Sequence, residues 1–284
     1  MQLGVHVSIS GKIFHSIDRA KAIGCTAMQI FSHNPRGWKV PPLFDEDVRI
    51  FKEKLNESKI HPLVVHTSYL INLASPDEDL YKRSIDSFKL DLERADMLGA
   101  TFLVTHIGSS KDRDLQYGMK RASDALNSIL DDGRHRNVKI LLENTAGSGS
   151  IIGYTLNQIK EITESVKKDH SLGLCFDTCH GFASGYDLRD TDSIEELINE
   201  IDSFLGMDRF CLIHLNDSKG SLGSFIDRHE HIGKGKIGIK GFDILINHRA
   251  VRDMPMILET PKKEEQDDVK NLFTVKRLRN SMGS

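Results

Sequence analysis

The feature that most constrains the fold is a repeated alternation. Short apolar runs recur along the chain, each followed by a longer amphipathic stretch. The runs are Leu3–Val7, Ala27–Phe31, Leu63–Val65, Phe102–Thr105, Lys139–Leu142, Leu172–Phe176, Phe210–Leu215 and Met256–Leu258. Runs this short read as buried strands, and the stretches between them as helices. The clearest helix is Asp77–Leu98, with a Leu80, Ile85, Phe88, Leu92, Ala95 stripe and a stop at Gly99. Strand-helix alternation implies a parallel sheet. Eight units predict an α/β chain closed into a (β/α)8 TIM barrel, with its site at the C-terminal ends of the strands and one domain over residues 1–284. An open doubly wound sheet is the alternative; no G-x-G-x-x-G follows the first run, which counts against it.

Hydrophobic content of 39% beside 28% charged residues excludes a disordered chain. No apolar run approaches the roughly 18 residues of a membrane span. Met1-Gln2-Leu3-Gly4-Val5-His6 enters the first run without a basic n-region or a signal core. The expectation is a cytoplasmic protein (nucleoid-associated in a prokaryote), monomeric, with no membrane and no protein partner. The cysteines are Cys25, Cys175, Cys179 and Cys211, with no C-x-x-C spacing. They read as reduced thiols, not as a zinc site.

The ends of the runs carry the chemistry. His6 follows the first run closely. The third ends at His66, the fourth at His106, the fifth at Glu143, the sixth at Asp177, the seventh near His214 and the eighth at Glu259. One histidine at a strand end is ordinarily structural. Six consecutive strands ending in imidazole or carboxylate would converge at the mouth of a barrel, each at a desolvation cost that a structural role does not explain.

Imidazole and carboxylate donors without thiolate suit zinc or another borderline divalent ion. Glu143, Asp177, His214 and Glu259 would complete one four-ligand site. His66 and His106 would face the same mouth. His180 lies three residues past Asp177, and Asp227-Arg228-His229 follows the seventh strand in a Gly-rich loop, where D-x-H spacing sends both side chains to one side of an extended segment. These nine donors exceed the needs of one tetrahedral ion and suit a cluster of about three with bridging. His231, two residues beyond His229, is left outside the set. His15, His33, His61, His135, His170 and His248 carry no motif.

At this point the chain resembles the endonuclease IV family of abasic-site DNA endonucleases. The stretches that carry the resemblance are His66-Thr67-Ser68-Tyr69-Leu70-Ile71-Asn72-Leu73-Ala74, Glu143-Asn144-Thr145-Ala146-Gly147, Cys175-Phe176-Asp177-Thr178-Cys179-His180 and His214-Leu215-Asn216-Asp217-Ser218-Lys219 through Asp227-Arg228-His229. They occur in family order, from Gly4-Val5-His6-Val7-Ser8 to Glu259-Thr260. The resemblance implies three Zn2+ ions per chain. His66, His106 and Glu143 would hold the first, with Glu143 bridging to a second held by Asp177, His214 and Glu259. His180, Asp227 and His229 would hold the third. Phe176, bulkier than expected, and Gly37, where a longer polar residue can occur, depart from the family pattern.

The activity the resemblance implies is hydrolysis of the phosphodiester 5′ to an abasic site in double-stranded DNA, leaving a 3′-hydroxyl and a 5′-deoxyribose phosphate. Metal coordination lowers the pKa of water towards about 7, so no Ser or Cys nucleophile is needed. Glu143 and Glu259 are the catalytic candidates, Glu259 through orientation of the attacking water. The formal charge of −3 does not exclude DNA, because three dipositive ions would carry it to about +3. Arg36, Lys39, Lys219, Arg228, Lys234 and Lys236 are phosphate-contact candidates, with Arg36 foremost. Tyr69 and Leu70 are candidates for a wedge that fills a gap in the DNA stack. Trp38 reads as a loop anchor, and Lys276-Arg277-Leu278-Arg279 as a helix-end charge cluster.

Two other classes stay open on the residues alone. A single-metal sugar isomerase or epimerase needs only Glu143, Asp177, His214 and Glu259, and leaves the other five donors unexplained. A non-catalytic DNA-binding scaffold has no use for an expensive polar cluster.

Overall fold

Apolar runs become strands, and amphipathic stretches become the helices that cover them. A computed structural model describes residues 1–131 and 137–280, so His135 lies outside the described residues. The barrel units run β1 (Leu3–Val5), α1 (His15–Ala22), β2 (Met28–Phe31), α2 (Asp45–Ser58), β3 (Leu63–His66), α3 (Glu78–Leu98), β4 (Phe102–Thr105), α4 (Leu115–Asp131), β5 (Lys139–Glu143) and α5 (Leu156–Glu164). They continue with β6 (Leu172–Asp177), α6 (Thr178–Ser184), α7 (Thr191–Leu205) and β7 (Phe210–His214). A two-stranded antiparallel ribbon follows, β8 (Asp217–Ser218) with β9 (His229–Glu230), and then α8 (Gly238–Asn247), β10 (Met256–Leu258) and α9 (Asp267–Asn280). Among the described residues, no helix is long and apolar enough to cross a membrane.

All eight barrel strands pair in parallel, in the order β1-β10-β7-β6-β5-β4-β3-β2. The two ends of that order meet. His6 bridges Gln29, Val7 N donates to Gln29 O at 2.7 Å, and Thr26 N donates to Leu3 O at 2.8 Å. This seam closes the barrel and removes the open-sheet alternative.

The strongest helix of the sequence forms where its punctuation directs. The Asp77 carboxylate caps α3 by accepting from Leu80 N at 2.9 Å, and Gly99 ends it in the left-handed conformation at φ 77°. At the far end of the chain, Arg277 and Arg279 lie in the last turn of α9, and Arg279 Nη1 donates to Ile246 O at 2.7 Å. The basic cluster is therefore a helix end, as its composition suggests.

Burial divides into two regions. A large one lies between the outer face of the sheet and the helices and includes Leu63, Val65, Leu103, Phe88, Leu92 and Ala95. A small one fills the barrel: Ala27, Val64, Val104, Leu141, Cys175, Leu212 and Ile257. Strand side chains alternate with a period of two. Two residues beyond each of these interior positions, and therefore on the same inner side, stand Gln29, His66, His106, Glu143, Asp177, His214 and Glu259. The same step from Gly4 reaches His6. The barrel interior is thus an apolar layer with a polar layer directly above it, at the C-terminal ends of the strands.

Gly4 occupies the tightest point of the closing seam. A Cβ there would stand 1.9 Å from Ala27 O and 2.5 Å from Ala27 C. Both obstacles are backbone, so β1 and β2 would have to part. Gly4→Ala is expected to lower stability by about 3 kcal/mol, the upper part of the usual overpacking range. Denaturant titration of the purified variant measures this, and an unchanged midpoint would show that the seam parts freely.

Candidate metal centre and DNA-facing rim

The nine donors of the sequence reading reach the mouth from strand ends, one short helix and the ribbon. His66, Glu143, Asp177 and His214 are the last residues of β3, β5, β6 and β7. His106 and Glu259 lie one residue beyond β4 and β10. His180 lies in the first turn of α6, whose N-cap is Asp177 itself, Oδ1 accepting from His180 N at 2.9 Å. His229 opens β9, and the ribbon with β8 folds Asp227 and His229 back over the barrel.

Their ligand atoms fall into three groups, each within 4.8 Å: His66–His106–Glu143, Glu143–Asp177–His214–Glu259 and His180–Asp227–His229. Glu143 belongs to the first two. It is fully buried, with Oε2 3.1 Å from His66 Nε2 and 3.5 Å from His106 Nε2. Its Oε1 is 3.0 Å from His214 Nδ1 and 3.4 Å from His180 Nδ1. A fourth group, Asp177–Cys179–His229, also lies within 4.8 Å. Cysteine spacing gave no hint of a thiol there. Burial pushes the Cys179 thiol up to about 12, so it is a neutral neighbour of Asp177 and His229.

Electrostatics and hydrogen bonding fix which ring nitrogens face inward. His66 Nδ1 bonds Thr67 O at 2.8 Å, His180 Nδ1 bonds Asn144 O at 3.0 Å, and His229 Nδ1 bonds Glu259 O at 3.0 Å. A carbonyl only accepts, so each Nδ1 carries the proton and each Nε2 offers a lone pair to the mouth. His180 Nε2 and His229 Nε2 then face each other at 3.4 Å, with Asp227 Oδ1 at 3.1 and 3.7 Å. Two lone pairs and a carboxylate at these distances require positive charge among them. A divalent cation meets this requirement, so the donor set fits a metal.

The donors also shift one another's titration. Burial opposes ionisation of Glu143, yet the imidazoles of His106, His214 and His180 hold its carboxyl well below the usual range. Glu259 is likewise held low against its burial, chiefly by His214 and His6. Burial opposes the charge on Asp227 too, and His180 and His229 bring it to about 2. Burial works against protonating His180 and His214, but neighbouring acidic groups raise both well above their ordinary value. Burial lowers His106 and His6.

Several residues that hold this arrangement were not singled out in the sequence. Gln29 is fully buried. Its Oε1 accepts from His214 Nε2 at 2.8 Å, which leaves His214 Nδ1 as the nitrogen facing the carboxylate of Glu143; its Nε2 donates to Glu259 Oε1 at 2.6 Å and contacts His6 Nδ1 at 2.9 Å. The carboxylate can only accept, which sets the amide's orientation. Asn216 Nδ2 donates to Asp177 Oδ2 at 2.7 Å while its Oδ1 accepts from Glu259 N at 2.7 Å. His231 is not brought into the cluster. Its Nδ1 lies 3.0 Å from Asn271 Nδ2.

The mouth is a cavity of about 510 Å3 whose walls include His66, His106, His180, Asp227, His229 and Glu259. Phe31, Pro35 and Tyr69 form its apolar side. Tyr69 is 64% exposed, edge-on to Phe31 with ring centroids 5.1 Å apart. Leu70 beside it is half-buried, and Arg36, Lys39, Arg228, Lys234 and Lys236 are exposed. Lys219 faces Glu230 at 3.7 Å. Trp38 is half-buried, with the Arg83 guanidinium 4.3 Å from its ring centroid. Phe176 is accommodated by Gly181, where a Cβ would stand 2.4 Å from the Phe176 ring. A Cβ at Gly37 would meet nothing within 4 Å.

Comparison with known proteins bears on the fold and the family. The family described as "Xylose isomerase-like TIM barrel" matches residues 17–275. A curated relative, "Probable endonuclease 4" of Halothermothrix orenii, is 44% identical over 267 residues, 94% of this chain and 96% of that protein. The crystal structure of endonuclease IV from Thermus thermophilus superposes with a TM-score of 0.89 at 32% identity, covering 99% of this chain and 100% of that one. A D-tagatose 3-epimerase-like protein superposes at a TM-score of 0.74 with 20% identity, covering 100% of both chains; that likeness shows the shared barrel alone. With relatives this similar over nearly its whole length, the chain belongs to the endonuclease IV family.

Proposed function

We propose that the protein is a zinc-dependent DNA-repair endonuclease, a single barrel domain over residues 1–284 acting as a monomer on double-stranded DNA that contains abasic sites. It hydrolyses the phosphodiester 5′ to the lesion and leaves a 3′-hydroxyl and a 5′-deoxyribose phosphate. The observation that carries the reading is the convergence of nine imidazole and carboxylate donors in three groups, two of which share Glu143, in a chain of the endonuclease IV family. A sugar isomerase needs only the group of Glu143, Asp177, His214 and Glu259.

His66, His106 and Glu143 would hold one Zn2+, Glu143, Asp177, His214 and Glu259 a second, and His180, Asp227 and His229 a third. Bound zinc supplies Lewis-acid activation of water and neutralises charge developing at the phosphodiester. The chain's own residues do the rest. Gln29 fixes the Glu259 carboxylate, and in this reading Glu259 orients the attacking water. Arg36 meets a backbone phosphate. Tyr69 and Leu70 occupy the gap in the stack while the abasic nucleotide turns into the mouth, a movement made easier by the missing base.

A duplex bearing one abasic analogue tests the reading. The expected product has a 3′-hydroxyl and a 5′-deoxyribose phosphate, forms only without chelator, and returns when zinc is restored. Cleavage on the 3′ side, or cleavage indifferent to chelator, would overturn it.

Two variants examine the metal groups. Glu143→Gln replaces a carboxylate able to bridge two cations with a neutral amide. Nicking is expected to fall by about two orders of magnitude or more, the scale seen for loss of one preorganised electrostatic contact. The unfolding midpoint should stay near wild type, and near-normal nicking by the folded variant would exclude bridging. Gln29→Met keeps the volume but frees the His214 tautomer and the Glu259 carboxylate. Zinc affinity at that group is expected to drop about 10- to 100-fold, the usual effect of losing a ligand's supporting hydrogen bond. Chelator competition measures it, with unchanged affinity as the contrary result.

A further inference from the structure

A second set of buried polar groups lies away from the metal centre: Asp91 and Arg94 on the inner face of α3, and His33 in the loop that follows β2. Asp91 is 1% exposed, Arg94 6% and His33 4%. Burying such groups costs several kcal/mol each unless their partners are well placed. None of the three belongs to the donor groups, so the metal centre does not account for them.

Their partners belong to two loops. Arg94 donates through Nη2 to Ser32 O at 2.7 Å and through Nη1 to Pro41 O at 3.0 Å. These carbonyls flank the base of the loop that carries Arg36 and Trp38, and the guanidinium fork clasps both. Asp91 Oδ1 accepts from Ser32 Oγ at 2.6 Å and faces His33 Nε2 at 3.1 Å. Its Oδ2 accepts from Ser68 N at 3.3 Å, in the loop that carries Tyr69 and Leu70. Ser68 Oγ then donates to Pro35 O at 2.8 Å and accepts from Leu70 N at 3.2 Å. One helix therefore fixes the first loop at both ends and ties the second to it at a residue next to Arg36.

We infer that Asp91 and Arg94 are positioning residues for lesion recognition: with Ser68 they hold the Arg36 loop and the Tyr69–Leu70 loop in fixed relation, so that discrimination between abasic and intact duplex depends on them while metal binding does not. The inference rests on the function proposed above. A lysine at position 94 keeps the charge but lacks the planar fork and reaches only one carbonyl. An alanine at position 68 keeps the amide bond to Asp91 and loses only the hydroxyl that links the loops.

The test uses the full zinc-loaded chain as wild type, Arg94→Lys and Ser68→Ala. Zinc content is measured by elemental analysis. Acrylamide quenching of Trp38, the only tryptophan, reports the position of its loop without DNA. Affinity is measured for a duplex with one tetrahydrofuran abasic analogue and for the same duplex intact. Both variants are expected to keep wild-type zinc content. Trp38 should become more accessible to quencher in Arg94→Lys. Affinity for intact duplex should fall less than that for abasic duplex, because Arg36 is one of several phosphate-contact candidates, whereas the Tyr69–Leu70 loop acts only at the gap. The ratio of abasic to intact affinity should fall about tenfold in Arg94→Lys, the scale on which a loosened support displaces a recognition group. It should fall less in Ser68→Ala. A wild-type ratio in folded, zinc-replete Arg94→Lys overturns the inference. If Arg94→Lys does not fold, Ser68→Ala decides by the same ratio. A wild-type protein that does not distinguish the two duplexes removes the proposed function itself, and the inference with it.

Discussion

Everything at the mouth depends on the two-residue period of a strand inside a closed barrel. Ala27, Val64, Val104, Leu141, Cys175, Leu212 and Ile257 fill the interior. The next inward position on each of those strands has nowhere to go except the space above them. Polar groups forced together there must balance one another's charge, because they are cut off from water below and crowded by one another at the sides. Glu143 shows the outcome: it is buried among four imidazoles, stays ionised, and joins the His66–His106 group to the His214–Glu259 group.

Much of this was legible in the residues. Strand ends at His66, Glu143, Asp177 and His214 follow from apolar runs that stop at a polar residue, and a barrel converts such stops into neighbours. His180, Asp227 and His229 were legible through local spacing, since an N-capped turn and an extended D-x-H segment each project side chains predictably. Gln29 was passed over because a single polar residue within an apolar run reads as an ordinary strand residue. Counted two positions beyond Ala27, it falls in the same inward register as the donors. His231 is the opposite case: its spacing invites a ligand, but Asn271 from α9 meets its ring, and no local pattern encodes a contact across 40 residues.

Asp91 and Arg94 were illegible for a different reason. On an amphipathic helix, charges are expected on the solvated face. These two lie on the buried face, where several of their partners are main-chain groups: the carbonyls of Ser32 and Pro41 and the amide of Ser68. Main-chain partners leave no signature in side-chain identity. The donor cluster is written in residue types at strand ends, whereas the support of the rim loops is written in backbone geometry that only tertiary packing defines.

The donors are spread from position 66 to position 259, and Glu259 lies one residue past the final strand. A growing polypeptide therefore carries only a partial set until Glu259 has been made. The shared carboxylate of Glu143 meets His214 and Glu259 only after β7 and β10 join the sheet, and β1, the first-made strand, pairs with β10. Contacts this distant in sequence carry a large loop-closure cost. Assembly of the mouth is consequently coupled to completion of the whole ring, and a truncated or partly folded chain lacks the geometry to act on nucleic acid.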